Sequence, residues 1–565
     1  MLEQNKQEEK MKLEGWFKFI NLFEIVFPTI LLVLGIYHGF IQTLYRSGVL
    51  KTTSFLGLSY YQGLTLHGVI NAIVYTTFFI VAFSNLVMFY YTKIQLSKFL
   101  TYVSFFLMVS GTLLAAVPML IGKANVLYTF YPPLKAHPLF YIGATLIVVG
   151  TWASFLSYII VYLKWKKQNP DKSAPLAVIG VMATFIIWFV ATLPLAYAVL
   201  FMLIPWSLGI VKEINIMVER TLFWFFGHPL VYFWLLPSYI MLYVMLPKLA
   251  GGKLFSEKFG RLVFMLFIVF SIPVGVHHQY SEPAIKTSMK FLHAVLTFAV
   301  AIPSFMTAFN VAASLEYAGR SNGGNGIFGW WKKLPYFDAN KYLFAYLFGG
   351  LMLFFIGGIT GIVNASYNLN SVVHNTAWIP GHFHTTVGGL VFLSFLGMSL
   401  YIVEKLSGKN IRFQKLNILI PYLWFVGVIM LSLGMSIPGI QGMPRRTNIG
   451  LTYLNPQSEF FRPDWVFWSY LSILGGSIMF LSMIFYFIIF FSTLLSRRSE
   501  QEFLYFPTSL ALDNPGKSFS SFKPWLAILL VLILVAYIPT FYDISKATFG
   551  GSLPYVPELP LPVSK

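Results

Sequence analysis

The sequence predicts an all-α polytopic membrane protein of about thirteen transmembrane helices, with a cytoplasmic N-terminus and a C-terminus outside. Three observations carry that prediction. Of 565 residues, 57% are hydrophobic and only 10% charged, whereas a soluble domain carries about 25% charged residues. Apolar runs long enough to cross a bilayer, about 20 residues each, recur from end to end. Lysine and arginine are shared unevenly among the connections, and that bias sets orientation.

The spans fall roughly at 16–42, 62–92, 98–122, 138–164, 175–206, 220–247, 258–280, 289–314, 339–365, 375–404, 414–440, 464–495 and 522–545. With the N-terminus inside, the N-terminus and inner loops hold 26 basic residues, and the outer loops and C-terminus hold 13. The net charge of +19 is mostly this bias, and no basic run exceeds three residues. A nucleic-acid partner is therefore not expected. The polar start, MLEQNKQEEKMK, lacks the apolar region and cleavage site of a signal peptide. The first helix reads as an uncleaved insertion signal. With no cysteine, the chain can hold no disulfide, thiolate-bound metal or iron–sulfur cluster. The organisation reads as a polar cytoplasmic N-terminus (1–15), a membrane core of about twelve helices (16–500), and a final part (501–565) with a cytoplasmic loop, a thirteenth helix and an outer tail.

Chain direction alternates from span to span, so each histidine can be given a depth. The second span runs inward, with His67 about five residues from its outer end. The sixth runs inward, with His228 about eight residues in. The seventh runs outward and has His277 and His278 near its end. The tenth runs inward, with His382 and His384 seven to nine residues in. At about 1.5 Å per residue, all six sit in the outer half of the membrane, near one level. Ionisable groups at that depth are functional candidates, and imidazoles without thiolates suit copper, iron or zinc. His38, His137 and His293 read as structural.

Spacing sharpens the picture. In GHFH (381–384), His382 and His384 are about 200° apart around a helix. They point to opposite sides and can each serve a different metal, or face two neighbouring helices as hydrogen-bonders. In VGVHHQY (274–280), Pro273 and Gly275 can loosen the turn so that both rings reach one metal; an interfacial polar cap is the alternative. In GHPLVYFW (227–234), His228 and Tyr232 share a helix face. Tyr239 and Tyr243 continue that stripe toward the cytoplasm. The eighth span offers Ser304 and Thr307 in its inner half, and Ser256 lies in the cytoplasmic loop before the seventh. Taken singly, such hydroxyls commonly bond their own helix carbonyls. Together they read as a path.

At these residues the chain resembles the catalytic subunit of the haem–copper oxygen reductases, the cytochrome c oxidase subunit I family. The resemblance covers about residues 16 to 500 and rests on LHG (66–68), GHPLVY (227–232), HH (277–278), HNTAWIPGHFH (374–384) and MPRR (443–446). It implies His67 and His384 as axial ligands of a low-spin haem, and His382 as the one axial ligand of a high-spin haem. It implies His228, His277 and His278 as ligands of one copper, and Tyr232 as the phenol covalently joined to His228. Arg445 and Arg446 match the pair that binds haem propionates, with His374 and Tyr128 nearby.

The commonest branch of the family has a glutamate two residues after the motif histidine; here Leu230 stands there. The spans are nearly free of carboxylates, Glu24 being the main exception. The stripe Ser256, Tyr243, Thr307, Ser304, Tyr239, Tyr232 matches the single proton path of the B branch, whose low-spin haem is b-type and high-spin haem a-type. Asn370 stands where an aspartate near the propionates is expected. The activity implied is four-electron reduction of dioxygen to water, with protons drawn from the cytoplasm and coupled to pumping, in a prokaryotic cell (inner) membrane. The partners implied are a subunit II carrying a two-copper entry site, a small further membrane subunit, and cytochrome c as donor. Competing readings are a quinol oxidase, a nitric oxide reductase of the same superfamily, and a non-redox transporter.

Overall fold

A bilayer core offers no water to peptide groups, so each apolar run must close its hydrogen bonds within itself. In the computed structural model, which describes residues 10–51, 57–498 and 501–548, the runs do this as helices. In chain order they are α1 (Gly15–Arg46), α2 (Tyr60–Thr92), α3 (Lys98–Leu120), α4 (Pro138–Gln168), α5 (Leu176–Ser207) and α6 (Ile216–Leu249). Then come α7 (Glu257–Phe270), α8 (Thr287–Ser321), α9 (Ala339–Ala365), α10 (Trp378–Ser407), α11 (Gln414–Ile440), α12 (Pro463–Leu495) and α13 (Lys523–Lys546).

Among the described residues, twelve of these are long and apolar enough to cross a membrane. The seventh expected span differs. Its helix has 14 residues and stops at Phe270, and the chain re-forms as a 3₁₀ turn over Gly275–Gln279. Pro273, between the two, has no N–H to continue the ladder. The expected span 258–280 is thus a short helix capped by a turn that carries His277 and His278.

Three other breaks fall at predicted ligands. His228 sits between the helical stretches Ile216–Gly227 and Pro229–Val244, because Pro229 interrupts the bonding. A π-helical segment, Val69–Tyr75, follows His67, and another, Thr386–Val391, follows His384. Such widened turns concentrate at functional positions.

Helices α2, α6 and α10 are almost wholly enclosed, whereas α8, α12 and α13 present broad apolar faces outward. The ligand-bearing helices are therefore the inner ones. Glu24, in α1, is fully buried; Asn85 Nδ2 approaches its carboxyl at 3.5 Å, and the Tyr158 hydroxyl donates to Asn85 Oδ1 at 2.8 Å. On the cytoplasmic side the connection after α12 crosses several helix ends. It pairs with Met11 through Leu504, bonds Leu254 through Leu510 and Leu512, and ends over the start of α7. Residues 549–565, the expected outer tail, and residues 1–9 lie outside the described residues.

Candidate functional site

The six histidines line two large cavities. His67 and His384 line one of about 260 Å³, with Tyr128, Arg445 and Arg446. His228, His277, His278, His382 and Tyr232 line another of about 320 Å³, with Asn370 and His374. Phe383 and Ile379 border both.

Ring nitrogens show what each histidine is held to do. His67 Nδ1 lies 2.9 Å from the Gly35 carbonyl, and His384 Nδ1 lies 2.7 Å from the Pro380 carbonyl. A carbonyl only accepts, so each Nδ1 carries the proton and each Nε2 keeps its lone pair. The two ring centres are 6.3 Å apart and 13° from parallel. Nitrogens about 2 Å from one shared metal would place ring centres roughly 6 Å apart. Gly39 makes room for this ring, since a Cβ there would sit 2.6 Å from His67.

His382 faces the other way. The Thr360 hydroxyl donates to the Gly357 carbonyl at 2.8 Å and so accepts from His382 Nδ1 at 2.8 Å. Nε2 is again left as the ligand atom. The 200° argument from spacing holds: one helical turn serves both cavities.

His228, His277 and His278 offer ligand atoms that all lie within 4.8 Å of one another. The Thr297 hydroxyl donates to the His293 carbonyl at 2.5 Å and accepts from His277 Nδ1 at 3.0 Å. Trp224 stacks on His278 with ring centres 3.9 Å apart. His228 Nδ1 is 3.3 Å from His278 Nε2, while its Nε2 is 2.9 Å from the Tyr232 hydroxyl. The cluster is three nitrogens in an apolar wall, a donor set that suits copper, zinc or iron and not magnesium or calcium.

The outer rim is polar. Arg445 Nη2 donates to Asn375 Oδ1 at 2.8 Å, and the Arg446 guanidinium lies 6.0 Å from the Tyr128 ring centre. Arg445 Nε and Arg446 Nη2 are buried without a partner among the described residues. Burial, then the adjacent Arg446, draw Arg445 down to about 10. It stays charged at neutral pH. Two guanidinium groups, each with a donor to spare at the cavity, suit carboxylates. Asn370 Oδ1 accepts from His374 Nδ1 at 3.0 Å, and His374 Nε2 meets Ser281 Oγ at 2.9 Å. The amide at 370 is thus built into the rim.

The hydroxyl stripe is partly joined. The Tyr243 hydroxyl bonds Thr307 Oγ1 at 2.5 Å. The Tyr239 ring centre is 6.0 Å from that of Tyr243, and its hydroxyl is buried without a direct partner among the described residues. Ser304 lines the same cavity as Tyr232. Ser256 does not turn toward Tyr243; its Oγ donates to Asp513 Oδ2 at 2.7 Å.

Sequence reasoning missed Thr360, Thr297, Trp224 and Asp513. A hydroxyl one helix away from a ligand carries no local signal, and Asp513 lies 257 residues from Ser256. Trp224, four residues before His228, could have been found by helical spacing.

These features have counterparts in known proteins. The family model described as cytochrome c and quinol oxidase polypeptide I matches residues 20–478. A cytochrome c oxidase subunit 1 of Thermus thermophilus is 40% identical over 541 residues, covering 93% of this chain and 94% of that protein. A cytochrome c oxidase subunit 1 of Synechocystis is 26% identical, covering 68% of this chain and 69% of that one. A solved structure described as a heme–copper terminal oxidase dimer superposes with a TM-score of 0.94 at 49% identity, covering 97% of each chain.

Proposed function

This chain belongs to the cytochrome c and quinol oxidase polypeptide I family and is a membrane oxidoreductase subunit of the cytochrome c oxidase type, and we propose how its residues carry that activity. His67 and His384 would hold a low-spin haem in the first cavity. His382 would hold a high-spin haem in the second, and His228, His277 and His278 one copper facing it. Arg445 and Arg446, with Tyr128, His374 and Asn370 at the rim, would receive the propionates. The observation that carries this reading is the division of ring nitrogens: His67, His384, His382 and His277 each have Nδ1 tied to an oxygen, leaving Nε2 for a metal.

When bound, these groups supply electron transfer and the four-electron reduction of dioxygen to water. The chain supplies the rest. Tyr232 holds a phenolic proton at the cavity wall, 2.9 Å from His228 Nε2, close enough to support the covalent His228–Tyr232 link of the family. Ser304, Tyr239, Thr307 and Tyr243 lead from that cavity toward the cytoplasm, with water joining Tyr239 to its neighbours, and Ser256 marks the mouth. A path of hydroxyls from Tyr232 to Tyr243, with a carboxylate only at its mouth, where Asp513 meets Ser256, supports the B-branch reading, with a b-type low-spin and an a-type high-spin haem. Protons taken up by this route would also feed pumping.

The subunit works within a complex. An electron-entry copper pair needs thiolates, and this chain has none, so a subunit II would carry it, with cytochrome c as donor and a small further membrane subunit beside it. The setting proposed is a prokaryotic cell membrane.

A reduced-minus-oxidised optical spectrum, with and without carbon monoxide, tests the assignment. Two haems, only one of which binds carbon monoxide, is the expected result. Carbon monoxide binding to both, or to neither, would overturn the two-ligand and one-ligand division.

A further inference from the structure

The turn that carries His277 and His278 is the least self-supporting part of the metal cradle. α7 ends at Phe270; Ile272 O lies in the gap that follows, and Gly275 N–H opens the 3₁₀ turn. One side chain from α13 bonds both. The Tyr537 hydroxyl accepts from Gly275 N–H at 3.0 Å and donates to Ile272 O at 3.0 Å. Tyr537 is 3% exposed, and its ring centre lies 4.1 Å from that of Phe225, three residues before His228. Gly275 lets the phenol close in: a Cβ there would sit 2.3 Å from the Trp224 carbonyl and 2.7 Å from the Tyr537 hydroxyl.

A second route leaves the same helix. The carbonyl of Ala536 accepts from His293 Nε2 at 3.1 Å. His293 passes its own carbonyl to Thr297, whose hydroxyl holds His277 Nδ1. His293 is thus structural, as its sequence position implied, yet it ties α13 to a metal ligand. An apolar helix at the edge of a bundle has no need of a buried phenol, since burying a hydroxyl is unfavourable unless it is bonded. Both bonds here go to backbone within five residues of His277.

We propose that Tyr537 is a positioning residue for the copper site: through it, α13 fixes the dihistidine turn so that His277 and His278 converge on His228. The proposal rests on the reading that this triad holds copper. Groups that orient metal ligands at second hand are worth about 10–100-fold in metal affinity.

The test uses the whole purified complex, with copper retention at the triad followed by chelator competition and by the infrared band of carbon monoxide transferred to copper on photolysis. Tyr537→Phe keeps the ring and removes only the two bonds. It should release triad copper at about 10–100-fold lower chelator concentration and shift or broaden the infrared band, with haem content unchanged. Leu534→Ala, on the exposed face of α13, should match wild type. Wild-type retention and an unshifted band in Tyr537→Phe would overturn the proposal. If that variant does not assemble, His293→Phe reads the second route, since it cuts the bond to Ala536 and keeps the Thr297–His277 contact: weakened retention supports the role of α13, and wild-type retention overturns it. A wild-type complex lacking triad copper would instead overturn the metal assignment itself, which separates the two failures.

Discussion

The Tyr232 hydroxyl lies 2.9 Å from His228 Nε2, one helical turn along a wall that excludes water. His228 thereby presents Nδ1 to the other two histidines and Nε2 to the phenol. Tyr232→Phe should leave both haems bound, because His67, His384 and His382 all keep their oxygen partners. Turnover should fall by at least about 10²-fold, the lower range for a removed proton donor. Oxygen consumption measured beside the optical spectrum checks this, and normal turnover would refute the phenol's role.

His67 and His384 face each other at 6.3 Å, and nothing else in their cavity offers an imidazole. His67→Ala should therefore remove the low-spin haem band while the carbon-monoxide-binding haem persists. An intact low-spin band would reassign the first cavity.

Thr307 receives the Tyr243 hydroxyl and passes its own proton to the Pro303 carbonyl at 2.9 Å. Thr307→Val keeps the shape and removes this junction. Proton-coupled steps should slow by about tenfold, equivalent to about 1.4 kcal/mol of barrier, with the haem spectrum unchanged. Time-resolved proton uptake after oxygen mixing would show it; an unaltered rate would take Thr307 off the path.

Asp513 caps the start of α7. Its carboxylate accepts from Ser256 Oγ and the Glu257 N–H at 2.7 Å each, and from the Lys258 N–H at 3.2 Å. Burial pushes this carboxyl up, but the three donors outweigh it and hold it below the usual carboxylate value. A carboxyl depressed on folding stabilises the fold above its unfolded pKa, and that contribution fades as pH falls through the folded value. Asp513→Asn should thus weaken α7 at neutral pH by about 0.5–2 kcal/mol, toward the low end because the site is half-exposed. The difference from wild type should vanish in acid. Amide hydrogen exchange over the first turn of α7, at neutral and acid pH, measures both parts.

The helices were legible in the sequence because apolar length leaves few choices. The GHFH spacing put His382 and His384 on opposite sides of one helix, and their rings line different cavities. The break inside 258–280 was legible only in part: Pro273 and Gly275 announced a loosened turn, but not that the helix would end at Phe270. Neither could the sequence announce which groups steady the ligands. Thr360, Thr297 and Tyr537 act across helix interfaces, and each alone reads as an ordinary helix residue. Ser256 illustrates the same limit. It stands just before α7, but its hydroxyl is claimed by a loop that arrives from the far end of the chain.

His382 and His384 hang from a single turn of α10 with only Phe383 between them. Any tilt or slide of that helix carries both imidazoles together. Their separation is thus set by bond lengths and one turn of backbone, whereas the opposite wall of each cavity is set by how neighbouring helices pack. Heating, pressure or a thinner bilayer can loosen those walls independently. With haems held as proposed, the spacing between their two ligands would stay the same throughout, so the electron hop between them should be the step least sensitive to the mechanical state of the membrane.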